Sequence, residues 1–469
     1  MKFIISFIRQ TILLLVLTSS MFILGSNSNA ATFTVTNLND SGDGSLRKAI
    51  EDANMDVTPD VVDVIEFDVS LSGSIPTDAV APDNIYTGQI EITDDLIING
   101  PGSEVITIDA QEVDRIFIID SADDDIEVTI RGLTLENGFI TNDNGAAILN
   151  TETLSIYECT FESNESFLPL VLLGEGGGGA IFNMGTINEI SDASFIQNGT
   201  SSHHVGGAIV NIASLKEINN STFSGNFGGF MGGAIFDEND QGDITKINNC
   251  TFTGNSAIIG GAYFYNGFGS SEITNSTFSG NKAIGNAIGG AIAAAGILSI
   301  SFTTIANNEA PVAGGIIESR INGGIVNIRN SIVANNAGGN CVSDTADDIA
   351  DESGDEKNNY SDDDTCGFDF DNAKIRLGPL ADNGGSTQTL ALLRGANDPV
   401  DGASADCDAF EFDDITMTHI PSGIALQDDQ TGFARPSPSG GLCDSGAYEF
   451  RRGPSGPKGP KGPKGQRGK

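Results

Sequence analysis

Carboxylates are the commonest reactive side chains in this chain, and many crowd one segment. Asp344, Asp347, Asp348, Asp351, Asp355 and the run Asp362 to Asp364 fall between or near Cys341 and Cys366. They offer hard oxygen ligands of the kind Ca²⁺ takes, although the spacing fits neither an EF-hand loop nor a nonapeptide repeat. The plainer reading is a solvated acidic loop. His203-His204 offers a weak metal or acid–base pair, against a solvated loop. Asp237, Glu238 and Asp240 cluster in what reads as a solvated bend. Glu318 and Arg320 alternate along one strand face and would form a surface ion pair worth under ~1 kcal/mol. There is no GxSxG, no HExxH and no P-loop. Sequons at Asn164, Asn198, Asn219, Asn220, Asn249, Asn275 and Asn359 follow from the NST spelling of a repeat.

That repeat must position any site. Phe161, Phe195, Phe223, Phe252, Phe278, Ile305 and Ile332 anchor similar segments, at spacings of 34, 28, 29, 26, 27 and 27. Between them GGAI or a close variant begins at Gly178, Gly206, Gly232, Gly260, Gly289 and Gly314, with GAAI at Gly145. Short alternating runs such as LSIYECTF and ITKINNCTF are broken by Asn, Gly and Ser, without helical period. Three short strands and three turns consume about 25 residues, one coil of a parallel β-helix. Coils would stack at about 4.8 Å. A propeller blade needs about 40 residues, and sandwich strands do not repeat at a fixed period.

Residue choice follows from that geometry. An inward Phe stacks on the Phe of the next coil and contributes roughly 1.5–3 kcal/mol of burial. Gly-Gly permits a turn that a Cβ would block. The Asn closing each FxxN segment tolerates left-handed backbone and can pair its amide with its neighbours. The ends of such a stack need caps. Ser45 can N-cap a helix in GSLRKAIEDAN whose Leu46, Ala49, Ile50 and Ala53 share a face.

The chain divides at 1–30, a signal peptide; 31–100, an N-terminal cap and first coils; 101–340, the β-helix repeats; 341–450, an acidic loop and irregular closing module; and 451–469, a collagen-like tail. Lys2 and Arg9 precede an apolar run, and cleavage is expected between Ala30 and Ala31, for export. No later stretch reaches the ~18 apolar residues of a membrane helix. In an exported chain the near pairs Cys341 with Cys366 and Cys407 with Cys443 are disulfide candidates, while Cys159 and Cys250 read as small core residues. The chain has 23 Lys and Arg against 64 Asp and Glu. The signal holds two of the basic residues and the tail seven, and neither holds an acid, so residues 31–450 keep 14 basic groups, all 64 acids and a net charge of −50. Such a surface repels nucleic acid and anionic membranes and favours divalent cations and cationic partners.

The motifs TVTNLNDSGDGSLRKAIEDAN, DLIINGPG, DRIFII, IRGLTLENG, NSIVANNAGGNC, TCGF, LGPLADNGGSTQTLALL, DQTGFARP and CDSGAYEF occur in that order. In this the chain resembles bacterial secreted β-helix proteins of the choice-of-anchor Q type, over nearly all of 31–450. The resemblance implies an all-β, right-handed single-stranded parallel β-helix exported to the bacterial surface, with a C-terminus that varies between members. It implies no agreed activity. GANDPVDGA at 395–403 departs from the GSPAIDAG usual there, although Asp401 matches its Asp, and EFDDITMTHIPSGIALQ after Cys407 reads as an insertion. Collagen-like triplets with Gly at 453, 456, 459, 462, 465 and 468 stand where members carry an anchor. Either a longer stalk follows, able to trimerise the chain, or the tail is a short basic arm.

An enzyme on this fold would need paired carboxylates, about 5–5.5 Å apart for a retaining hydrolase or about 6.5–9.5 Å for an inverting one. A lyase would need Ca²⁺-binding acids beside a basic residue. Either would appear as acids recurring at one slot of neighbouring coils, and the repeat shows no such column. The sequence therefore points to non-catalytic adhesion or binding of a glycan or other cell-surface ligand. A polysaccharide lyase, a glycoside hydrolase and a passive structural surface protein are the alternatives.

Overall fold

In the computed structural model the described residues are 30–56, 61–77, 88–121, 125–167, 176–201, 203–239, 241–319, 324–343, 358–368, 370–393, 403, 407–413, 418–435 and 443–450. The signal segment up to 29, Asp240, Arg320, Asp344 to Asp355 and the collagen-like triplets lie outside them.

The expected solenoid is present, with about 10 turns of parallel strands. Three long parallel sheets run its length. The first extends from Thr32–Val35 to Ile325–Arg329, the second from Gly73–Pro76 to Tyr360–Ser361, and the third from Ile90–Ile92 to Cys341–Ser343. Each coil contributes one strand to each sheet, so a side chain meets its equivalents directly above and below.

The Phe column forms as the spacing predicts. Phe161, Phe195, Phe223, Phe252 and Phe278 are fully buried and pair in register. Their rings stack nearly parallel, with centroids 4.7, 4.7, 4.7 and 4.4 Å apart. Ile305 continues the column, but the next member is Val333 and not Ile332. Ile332 sits one position earlier and packs outward with Tyr360, Leu392 and Tyr448 of the C-terminal part. That strand is apolar on both faces, so its register could not be read from hydrophobicity.

The FxxN asparagines form a continuous internal ladder. Asn164, Asn198, Asn226, Asn255, Asn281, Asn308 and Asn336 each pass an amide N–H to the oxygen of the next at 2.9–3.1 Å, and the last bonds to Asn340. None of these asparagines has a positive φ; the left-handed residue is the one before, such as Gly225, Gly254 or Asn307. The ladder position asks for an amide, because two N–H donors and an oxygen let one side chain bond its neighbours above and below and a strand carbonyl as well. In the GGAI motif Gly232 is left-handed, with φ +65°, and a Cβ there would stand 2.2 Å from the carbonyl oxygen of Ile235.

At the N-terminal end, helix α1 (Leu46–Ala53) forms where expected. The Ser45 side chain accepts from Lys48 N–H, and Leu46, Ala49, Ile50 and Ala53 are buried. Both expected disulfides form, Cys341–Cys366 and Cys407–Cys443. Cys159 and Cys250 are free and buried, and burial pushes each thiol up to about 12, which leaves them inert core residues.

The closing module does not merely cap the last coil. It folds back along the flank of the stack, where the first and second sheets meet. Gln430 donates to Cys250 O and accepts from Thr277 Oγ1. Gly446 N–H donates to Asn330 O, and Ala447 N–H to Thr304 Oγ1. Arg435 fastens the assembly. It pairs with Glu449 at 3.2 Å with both side chains fully buried, donates to Gly446 O and Asn275 Oδ1, and lies over the Phe302 ring.

Candidate functional site

The outer face of the second sheet carries two registered columns. At the first strand position stand Thr107, Thr134, Thr160, Ser194, Thr222, Thr251, Thr277 and Thr304. The closing module takes the hydroxyls of Thr251, Thr277 and Thr304. At the third position Asp109, Glu136 and Glu162 align across three successive coils. The sequence shows no acid column, and the structure corrects that. The first two of these strands precede the regular Phe repeat and have Ile108 and Leu135 at the inward slot, so their phase was hidden. Asp109 is held by Gln111 N–H and Asn137 Nδ2 at 2.9 Å each. Burial, then the neighbouring Asp109 and Glu162 charges, raise the Glu136 carboxyl above the usual range.

Further along this flank is a cleft of about 340 Å³ between the solenoid and the closing module. One wall is a turn column, Asn220, Asn249 and Asn275, each left-handed at φ +50°, +56° and +49°. Asn248 joins it. The other wall includes Ser386, Asp428 and Gln430. Asn275 is committed, since its Nδ2 donates to Asp428 O at 3.1 Å and its Oδ1 accepts from Arg435. The Oδ1 atoms of Asn248 and Asn249 are shielded from solvent and receive no donor. Asp429 lines the cleft but is structural: its carboxylate accepts from Thr431, Phe433 and Glu449 N–H groups. Asp428 is exposed. Among the described residues no Lys, Arg or His lines the cleft. Such a site can both donate hydrogen bonds to and accept them from a polyhydroxylated ligand, through its amides and the Ser386 hydroxyl.

The residues singled out in the sequence fall elsewhere. Asp237 is not a solvated bend but fully buried. It ends a second ladder, Asn150–Asn183–Asn211–Asp237, accepting from Asn211 Nδ2 at 2.8 Å and from Tyr263 Oη at 3.0 Å. Its segment IFD occupies the inward slot filled by IFN and IVN in the coils before it. Burial raises its carboxyl above the usual range, with no cation beside it to compensate. Glu318 is buried too, accepting from Val326 N–H and Ser343 Oγ, and so does not lie on the surface; Arg320 lies outside the described residues. His204 is buried rather than solvated, while His203 is half-buried. Of the acidic loop, Asp362 accepts from Asn335 N–H and Asn340 Nδ2, and Asp363 from Asn340 and Thr365 N–H, so both brace the end of the first ladder. Among the described residues no three His, Cys, Asp or Glu gather as a metal site. No helix among them is long and apolar enough to cross a membrane.

Sequence reasoning missed the cleft. The asparagine wall was legible as a turn residue recurring at 220, 249 and 275, but the opposite wall comes from residues more than 100 positions later. Comparison with protein-family models, curated proteins and solved structures finds no match.

Proposed function

We propose that this protein is an exported, surface-associated β-helix that binds glycans without chemically altering them, and so serves adhesion. The observation that carries the reading is the flank cleft, lined by Asn220, Asn248, Asn249, Ser386, Gln427 and Asp428 on a wall of stacked coils. Amide and hydroxyl side chains carry both donors and acceptors, the pairing that the hydroxyls of a sugar need. The collagen-like tail suits presentation of such a head away from an envelope, and a trimeric tail would multiply weak single-site affinity. Display of the full chain on a panel of immobilised glycans tests it. Selective binding to a subset is expected; a blank panel, with the solenoid shown folded by circular dichroism, refutes it.

A second reading, a polysaccharide lyase or hydrolase, is favoured by one observation, the Asp109–Glu136–Glu162 column with its raised central carboxyl. It requires that new reducing ends or unsaturated products accumulate from acidic polysaccharides and vanish in Glu136→Gln. No product from either protein would exclude it.

A further inference from the structure

Resting on the glycan-binding reading, we infer that the bound glycan is a neutral, diol-bearing polysaccharide that runs out of the cleft and lies along the solenoid axis, on the hydroxyl column of the second sheet. The closing module shows how that column grips a polar partner. Thr277 Oγ1 donates to Gln430 Oε1 at 2.6 Å, and Gln430 Nε2 donates to Thr251 Oγ1 at 3.0 Å. Thr304 Oγ1 accepts from Ala447 N–H at 3.0 Å. Hydroxyls on adjacent coils thus hold one carboxamide between them, one giving a hydrogen bond and the other taking one. A hydroxyl can do either, since it carries one donor and two acceptor lone pairs. Two neighbouring hydroxyls of a sugar ring present the same pair, an acceptor beside a donor.

The column does not stop where the module does. Thr222, Ser194 and Thr160 continue it in unbroken register on the next three coils. All three residues are half-buried; their hydroxyls make no hydrogen bond among the described residues and stay open to solvent. Asn220, which lines the cleft, stands two residues before Thr222, so cleft and column are contiguous. With coils stacked at about 4.8 Å, the three open hydroxyls add about 10 Å of contact beyond the cleft. The open stretch ends one coil further on, where Thr134 turns its hydroxyl to Ser103 O. Along the same stretch the companion column passes from the uncharged Ser224 and Ile196 to Glu162, with Glu136 and Asp109 following. Asp192 is exposed at the corner beside Ser194. A polyanion laid on this face would meet like charge as it advanced, on a chain whose net charge is already −41. A neutral chain meets only hydroxyls it can pair with.

The test titrates the full-length protein by isothermal calorimetry with β-1,4-linked dimers and hexamers of glucose, mannose and xylose, which keep a vicinal diol on each unit, and with a galacturonate hexamer. Two variants accompany it. Ser194→Ala with Thr222→Val removes two open hydroxyls that no protein group uses, and Thr160→Val removes the third, one coil further from the closing module. At least one neutral hexamer is expected to bind at least tenfold more tightly than its dimer, which the cleft alone accommodates, and at least tenfold more tightly than the galacturonate hexamer. The double variant should weaken that hexamer at least fivefold and Thr160→Val at least twofold, with the dimer unchanged in both. A hexamer no tighter than its dimer overturns the inference, as does a hexamer unmoved by both variants; in either case glycan binding stands with its determinants elsewhere. Equal or tighter binding of the galacturonate hexamer overturns it too. If no neutral hexamer binds while the glycan panel is positive, the inference falls and the function survives.

Discussion

Asn226→Ala is the sharpest test of how the coils are held together. The Asn226 Nδ2 donates to Phe195 O and Asn255 Oδ1, both at 2.9 Å. Its Oδ1 accepts from Asn198 N–H at 3.0 Å and Asn198 Nδ2 at 3.1 Å. Truncation removes all four bonds at a fully buried site. The Asn198 N–H then has no acceptor, while Phe195 O loses its Asn226 donor. Asn255 Oδ1 is spared in part, because Asn226 N–H still reaches it. At about 1–3 kcal/mol for each stranded buried group, the loss should be about 3–5 kcal/mol. The half-buried Asn188, whose side chain bonds to Lys216 Nζ at the surface, is the control, and Asn188→Ala should cost under ~0.5 kcal/mol. Because a solenoid contacts itself only between neighbours, the damage should be local. Hydrogen exchange should show faster opening in the coils containing Asn198 and Asn255, with strands Thr32–Val35 and Cys341–Ser343 unchanged. A loss under ~1 kcal/mol by urea denaturation, or protection lost evenly along the chain, would refute the view that the ladder binds coil to coil.

Two other perturbations follow from the same geometry. Asp237 binds a proton more readily folded than unfolded, so stability is greatest below its unfolded pKa of about 3.9 and is lost as pH rises through the raised folded value. Asp237→Asn extends the second ladder without a charge; it should raise the melting temperature at pH 7 and leave it unchanged at pH 3, and equal effects at both would argue against the burial explanation. Arg435→Met strands Glu449 in the interior, at a cost of about 3–5 kcal/mol; proteolysis should then cut within residues 427–450, which stay tethered through Cys443, while the coils stay protected, and the double variant with Glu449→Met should recover part of the loss.

The periodic part of this molecule was legible because each coil repeats one set of contacts. Phe161 through Phe278, the FxxN ladder, the cap helix from Ser45 and both disulfides could be read from spacing alone. What escaped reading depends on phase or distance. Ile332 and Val333 are both apolar, so hydrophobicity could not say which faced in. Asp237 is charged, and only its alignment with Asn211 shows that it lies inside the stack. Glu136 sits in coils without the Phe marker. The cleft escaped for another reason: contacts such as Asn275 with Arg435 join residues 160 positions apart, and no local pattern encodes them.

The side-on lie of the closing module also fixes how the molecule carries load. Tension entering at Phe450, which packs beside Ile332 and Tyr360, pulls on residues 443–450 before it reaches any coil. The bonds from Ala447 to Thr304 and from Gly446 to Asn330 then yield in succession, as a zip does, because they lie in a row along the flank. The parallel strand ladders of the stack bear almost none of that force until the row is gone. The Cys407–Cys443 disulfide then passes the load directly to Cys407, so Asp428 and Gln430, inside the bridged loop, are not drawn out and the cleft keeps that wall.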